Sequence, residues 1–536
     1  MSLRFILGRA GYGKTRYIYE SIGSELFSGN DGPAILVLVP EQAAFRTERE
    51  ILSGSGLAGS FRLRVMGFSR LAAEVLKSVG GASGLLIDEQ GKRMLLRDRL
   101  SRRCSELEIF KHADSGTVDR LAATITELHR YRITSKDLVE HCETLSFEEK
   151  GGCRQALLSK LQEITLIYGD FEECLRQSRY MDPDDALDLA AAAIGRWHIA
   201  KGAFVYIDGF TGFTPQELAM IEALLEKVSK MNIALSLPLD LAGREPEKGG
   251  IFSDILETYN ALKGIADKPE ILIETPVMLQ PAAPLRFSKA ALIHLERFYP
   301  GYNRTPFQGM PKGLHLRAAA NPRAEVEWTA REIIRLCRDQ GYRWRDCAVI
   351  ARNLEAYADL IRAVFDEAGI PCFIDRRHPV NHHPLVGLLR SAVELQITDW
   401  SYEAVFSCLK TDIFPLDRDD CDLLENYVLA HGIRGGRSWL DMPPWAYRAE
   451  LLREEELSDT GAGSREPEQS AHGNPETNDQ QSNNIPGEHT ERLLDRVNQA
   501  RDIVTDNLRK FCSDFTGGLT VRRACLAVYD LLERLQ

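Results

Sequence analysis

The 536-residue chain has no C-x-x-C pair, no run of eighteen apolar residues, no signal peptide, no internal repeat and no overall basic excess. Each absence excludes something. The eleven cysteines (104, 142, 153, 174, 337, 347, 372, 408, 421, 512 and 525) lack zinc or iron–sulfur spacing. Their odd number and scatter describe reduced, mostly structural thiols. Without a long apolar run there is no membrane-spanning helix. With no leader ahead of a glycine-rich motif that starts at Gly8, the expected compartment is the cytoplasm. Length excludes a single core and points to about two to four domains. The balance of 44% hydrophobic, 8% aromatic and 27% charged residues is that of an ordinary globular protein.

The net charge of −12 argues against nucleic acid only if it is spread evenly, and it is not. Between Glu454 and Glu491 there are ten acids and one arginine, a local net of −9, so the rest of the chain carries −3. That remainder has room for basic surfaces. Residues 457–488 hold almost no large apolar side chain and are expected to form a disordered loop. His378, His382 and His383 in HPVNHHPLVG suggest either a metal or a proline-bounded turn. No carboxylate or cysteine pattern accompanies them, which favours the turn.

What is present begins with LRFILGRAGYGKTRYIYE, Leu3 to Glu20. An apolar run, then G-x-x-x-x-G-K-[ST], then a helical pattern is the setting of a phosphate cradle. Gly8, Gly11 and Gly13 let backbone amides approach a phosphate chain. The helix start adds partial positive charge. Lys14 would reach the β- and γ-phosphates of ATP, and the Thr15 hydroxyl would hold Mg²⁺. The alternative is a glycine-rich turn without a ligand; pattern and setting together favour the cradle. The required second Mg²⁺ ligand is an acid at the end of a neighbouring strand. Asp208, which ends the apolar stretch FVYI, fits that position, with a buried structural aspartate as the alternative.

Strand-like runs at 34–40, 61–68, 203–210 and 232–239 alternate with helical patterns, so the fold class is α/β with a parallel sheet. The sheet domain is read as 1–84 plus 196–300, interrupted by a helical insertion over 85–195. A second α/β unit is expected over 313–385, with strands at 313–320, 346–352 and 370–375. A mainly helical region occupies 386–536.

LGRAGYGKT, VPEQAAFRTEREIL, VMGFSRLAAEVL, YIDGFTGFTPQE, ANPRAEVEWTAREI and AVIARNLEAYADLIRAVFDEAGIPCFIDRRHPVNHHPLV together resemble the N-terminal half of the AddB family. These are the B subunits of bacterial AddAB helicase–nucleases, which process double-strand breaks. The resemblance covers most of residues 1 to about 400. It implies a superfamily 1 helicase-like architecture: P-loop RecA-like domains 1A (1–84, 196–300) and 2A (from 313), with helical insertions 1B (85–195) and a partial 2B (386–536). It further implies ATP and Mg²⁺ as cofactors, an A subunit as heterodimer partner, single-stranded and duplex DNA ends as ligands, and recognition of a recombination hotspot. The family's C-terminal nuclease half, with its iron–sulfur cluster, is not matched here, so the chain is expected to be a truncated subunit, a split product or a fragment.

Laid over the acidic motif D-E-x-Q-D of superfamily 1, this sequence reads Asp208, Gly209, Phe210, Thr211, Gly212. The water-polarising glutamate is replaced by Gly209 and the γ-phosphate-sensing glutamine by Thr211. Weak or absent hydrolysis is therefore expected, with Glu217 a poor substitute. PEQAAFRTE and GFSRLA sit where superfamily 1 proteins touch single-stranded DNA. Phe45 and Phe68 are of a type that stacks on bases; Arg46, Ser69 and Arg70 are of a type that binds phosphate. Lys92, Arg93, Arg97, Arg99, Arg102 and Arg103 would form a basic helical stripe, or only a solvated face. Arg352, with Glu325 and Tyr357, matches the family pattern and would face an interdomain and nucleotide cleft, or simply the surface. The reading from a different class is a P-loop kinase or small-molecule ATPase unrelated to DNA.

Overall fold

Apolar runs become a buried parallel sheet. In the computed structural model, which describes residues 1–27, 32–80, 84–147, 152–246, 249–280, 284–299, 305–376, 380–441, 443–446, 486–515 and 520–535, β1 spans Ser2–Leu7 and is followed by α1 (Lys14–Phe27). Next come β2 (Ile35–Leu38), α2 (Ala44–Gly54), β3 (Leu63–Met66) and α3 (Phe68–Val79). The insertion opens with β4 (Leu85–Leu86) and contains α4 (Glu89–Arg103), α5 (Ser115–Arg130), α6 (Ser135–Phe147) and α7 (Gly152–Ser178). It closes with β5 (Tyr180–Met181), which pairs with β4 in a small separate sheet. After α8 (Ala186–Ala193) the main sheet resumes with β6 (Phe204–Ile207), α9 (Pro215–Leu225), β7 (Lys230–Leu235) and α10 (Ser253–Ile265). Two short strands, β8 (Leu272–Ile273) and β9 (Val277–Met278), then α11 (Ala290–Phe298), complete the element list of this part.

The main sheet runs β3-β2-β6-β7-β1, all parallel, with β8 and β9 pairing successively along the free edge of β1. Alternation along each strand feeds two cores. Leu3, Phe5, Leu7, Leu36 and Leu38 point to the face covered by α3, α8, α9 and α10. Ile6, Ile35 and Val37 point to the face covered by α1 and α2. Each such side chain, fully buried, contributes about 1.5–3 kcal/mol. Helices α4, α5 and α7 close around a core of their own, including Leu96, Ile125, Ile167 and Phe171. Helix α8 packs into the main core through Ala190 and Ala193, although the sequence reading placed it in the insertion.

The chain divides into two units, Met1–Arg317 and Ala318–Gln536. In the second, α12 (Pro322–Gln340) and α13 (Ala358–Glu367) share a small core through Val326, Ala330, Ile361 and Phe365. A larger core joins α14 (Pro384–Ile397), α15 (Tyr402–Leu409), α16 (Arg418–His431), α17 (Gly436–Leu440), α18 (Pro486–Asp514) and α19 (Val521–Arg534). The described residues of this region are mainly helical.

The strands expected at 313–320, 346–352 and 370–375 do not form: none of these segments joins a ladder. The reason is physical. A helix satisfies its backbone from within, whereas a strand exists only through a partner. The two helices therefore appear, while Leu316, Ile350 and Phe373 between and beside them stay exposed. The loop expected at 457–488 lies outside the described residues up to 485, and so does His378; Pro486 already begins α18. No group of three or more potential metal ligands occurs among the described residues.

Candidate functional site

Three strand ends open onto one crevice. Gly8 follows β1, Asp208 follows β6 and Ser236 follows β7, which lies between them in the sheet. Such strand ends are where parallel α/β sheets hold ligands. Here they border a cavity of about 640 Å³ lined by Gly11, Lys14, Thr15, Asp208, Ser236 and Arg286, among others.

The loop from Gly8 to Gly13 turns on two residues in the left-handed region, Gly11 (φ 81°) and Gly13 (φ 93°), where a side chain would be strained. The Lys14 ammonium donates to the carbonyl oxygens of Gly8 (2.8 Å) and Arg9 (2.9 Å), so it is curled into its own loop. Burial pushes its pKa down to about 8. Asp208 pulls it up, Arg286 pushes it down further and Glu296 raises it.

The Thr15 hydroxyl donates to Asp208 Oδ2 at 2.7 Å. The two residues stand 193 positions apart in sequence and meet because β6 and β1 flank β7. Asp208 is itself fixed: its amide donates to Leu38 O (3.1 Å), and its Oδ1 accepts from the Gly209 amide (2.9 Å). A hydroxyl and a carboxylate side by side form a hard oxygen pair suited to Mg²⁺, which fills its remaining positions with water and phosphate. The donor set therefore fits Mg·nucleotide.

Gly209 presents only backbone at the position next to Asp208, in the left-handed region (φ 83°). Glu217 is engaged elsewhere. With Thr214 it forms the capping box of α9, accepting from the Thr214 amide at 2.8 Å.

The remaining residues singled out from the sequence are scattered in role. Phe45 is exposed on α2, and Arg46 beside it pairs with Glu50 at 2.7 Å. Phe68, expected to stack on a base, is instead 4% exposed and packs edge-on against Phe210 and Phe213, so its ring is enclosed by the core. The Ser69 amide donates to Glu41 (3.2 Å), and Arg70 is exposed.

The basic stripe is also corrected. Lys92 is wholly buried between Asp182 (3.0 Å) and Asp184 (2.6 Å). Arg93 pairs with Asp119, Arg99 and Arg102 with Asp98, and Arg103 with Asp170. Of the six cations, Arg97 alone is exposed without an ion pair among the described residues. Of the other five, Lys92, Arg93 and Arg103 neutralise acids far off in sequence, while Arg99 and Arg102 share Asp98 of their own helix. In the second unit, Tyr357 donates to Glu325 (2.9 Å), and Arg352 is exposed in a segment that forms no strand.

What sequence reasoning missed is the stretch after β9. PVMLQPAAPLRF reads as a proline-rich connector, yet it returns to the phosphate loop. The Leu279 amide donates to Leu7 O (2.9 Å) and the Arg286 amide to Gly11 O (3.2 Å). Only the loop glycines leave room for it: a β-carbon on Gly13 would stand 2.8 Å from Leu285, and one on Gly11 3.1 Å from Arg286. The composition carries no signal of this approach.

The profile of a family described as "ADDB, N-terminal" matches residues 5–296. The chain is 41% identical over 539 residues to the B subunit of the ATP-dependent helicase/deoxyribonuclease from Pelotomaculum thermopropionicum. It is 43% identical over 543 residues to the same-named protein from Heliobacterium modesticaldum, and 37% identical over 546 residues to one from Bacillus cereus. Each alignment takes in 100% of this chain but only 44%, 42% and 44% of the respective relative. The matched profile covers more than half of the chain, including both the phosphate loop and Asp208. The chain belongs to the AddB N-terminal family.

Proposed function

We propose that the chain is the ATP-binding, DNA-contacting portion of a B subunit that works with an A subunit on DNA ends in double-strand break repair, including recognition of a recombination hotspot. One observation carries the nucleotide half of this reading: the Thr15 hydroxyl lies 2.7 Å from the Asp208 carboxylate at the mouth of a glycine loop. The phosphate chain of ATP is held by the loop amides and Lys14, and Mg²⁺ by Thr15 and Asp208. When bound, ATP would supply a phosphoanhydride together with its Mg²⁺. This chain's own residues bind and orient it but offer no carboxylate at Gly209 to place a water. Weak or no hydrolysis follows, since phosphoryl transfer depends on positioned water and charge. In domain terms, 1–84 with 196–300 serves as 1A, the helices of 85–195 as 1B, 313–385 as part of 2A and 386–536 as part of 2B. Exposed Phe45, Arg70 and Arg97 are the best-placed candidates for single-strand contacts.

The test is equilibrium binding of Mg·ATP and of a single-stranded oligonucleotide to the purified chain, with and without Lys14→Ala. The variant is expected to lose ATP. Oligonucleotide binding is expected to weaken steeply with salt, and turnover to stay well below about 1 s⁻¹. Unchanged ATP affinity in the variant overturns the nucleotide reading. Indifference to DNA at low salt favours a metabolite kinase instead.

A further inference from the structure

Two cysteines of the second unit meet where α12 ends. Gly341 closes that helix in the left-handed region (φ 72°), and the Tyr342 amide donates back to Leu336 O at 3.3 Å. The chain then reverses. Arg343 clasps Asp346 through its amide (3.0 Å) and its guanidinium (2.9 Å), and the Cys347 amide donates to Trp344 O at 3.1 Å. This turn lays Cys347 against the last turn of α12, where Cys337 sits. Both side chains pack on the small core of Val326, Ala330, Ile361 and Phe365. Their thiols share a hydrogen bond.

Both thiols are free and half-buried. Cys408 and Cys512, by contrast, are closed inside the larger helical core, out of reach of an external oxidant. Cys347 also lines a cavity of about 670 Å³, with Cys372 on the same wall, so a small molecule can reach it. Thiol–disulfide exchange needs a thiolate. Burial pushes the Cys337 thiol up, and Cys347 beside it pushes it further. Cys337 is therefore the slower nucleophile, and the first attack falls to Cys347 on the cavity.

We propose that Cys337 and Cys347 are an oxidation site, a thiol pair that a small-molecule disulfide converts reversibly into an intramolecular bridge locking the turn after α12 to that helix. The Cys347 thiolate attacks one sulfur of the oxidant and expels its other half as a thiolate. The Cys337 thiolate then attacks the Cys347 sulfur and expels the second half. The protein gives up two electrons and two protons, and the oxidant takes them up as two thiols. The bridge pins the start of the segment 346–352, which forms no ladder, and closes a loop that the unfolded chain must then carry.

The test exposes the purified 536-residue chain to mixtures of reduced glutathione and glutathione disulfide, quenches by alkylation and maps linked peptides by mass, in wild type, Cys337→Ser, Cys347→Ser and Cys372→Ser. Wild type is expected to give a 337–347 link that dithiothreitol reverses. It should be half-formed where the square of reduced glutathione over its disulfide is on the order of 1 mM or higher, the effective concentration of thiols held side by side. Cys372→Ser should form the same link. Cys337→Ser should trap glutathione on Cys347, and faster than Cys347→Ser takes it up on Cys337. The decisive readout is the wild-type chain, so a variant that misfolds does not decide the matter. Absence of the 337–347 link in excess glutathione disulfide, a link from Cys347 to Cys372 in its place, or a midpoint about a hundredfold lower each overturns the proposal. So does a link that appears only in denaturant, since the fold would then not hold the pair together. Faster uptake at Cys337 overturns the order of attack.

Discussion

Lys14 carries most of the physics of the site in one side chain. Burial strips its ammonium of water, and two loop carbonyl oxygens replace only part of that hydration, so its pKa falls to about 8. Phosphate binds the protonated form. In the free protein the charge is present below that value and is lost as pH rises through it. Affinity for Mg·ATP is therefore expected to fall about tenfold between pH 7 and pH 9. Lys14→Arg, if it binds, should be flat over that range, because a guanidinium does not titrate there. Binding isotherms at four or five pH values check this, and a flat wild-type profile contradicts it. At this scale the sequence was informative where chemistry demands a residue type. Glycine, lysine, threonine and aspartate in their places were legible. Burial was not: Phe68 in GFSRLA looks like a base-stacking ring, but Phe210 and Phe213 enclose it.

Helix α4 shows what an element conceals when read alone. Its six cations in twelve positions resemble a nucleic-acid stripe, yet Lys92, Arg93 and Arg103 are paired by acids of the turn after β5, α5 and α7, and Arg99 and Arg102 by Asp98 of α4 itself. Lys92 is the extreme case, an ammonium with no solvent exposure held by Asp182, Asp184 and the Thr126 hydroxyl (2.9 Å). Removing one partner of a buried charge cluster leaves the others desolvated and unpaired. Lys92→Met is expected to destabilise the chain by about 3–5 kcal/mol, whereas Arg97→Ala on the exposed face should stay within about 0.5 kcal/mol. Denaturant unfolding of the two variants separates them, and a mild effect at Lys92 would mean the cluster is not closed in solution. Helical periodicity located α4 but is silent on which carboxylates, tens of residues away, reach Lys92, Arg93 and Arg103.

At the scale of the whole molecule, the chain spans about 44% of the length of the curated relatives it matches. Among the described residues it builds one large parallel sheet besides the small β4–β5 pair, and no helix there is long and apolar enough to cross a membrane. The segments 346–352 and 370–375 have strand-like composition without a ladder, and their Ile350 and Phe373 are exposed. Hydrogen exchange should report this directly. Amides of β1, β6 and β7 should be the slowest in the chain, and those of 346–352 among the fastest, because unpaired amides lack protection. Slow exchange at 346–352 would reveal pairing that the fold described here does not contain.

The sequence by itself determined the features that are local. These are the strand–loop–helix around Gly8–Thr15, the parallel character of a sheet whose strands are apolar on both faces, and the helices that close their own hydrogen bonds. Their signals lie within some twenty consecutive residues, the span over which periodicity and turn chemistry act. Tertiary structure alone decided that Asp208 meets Thr15 across β7, that the connector after β9 brings Arg286 to the loop, and that Lys92, Arg93 and Arg103 on α4 are spent on acids of other elements. Those outcomes depend on which distant segments share a crevice or a core. That is settled by the joint burial of apolar faces, which no single stretch of the chain records.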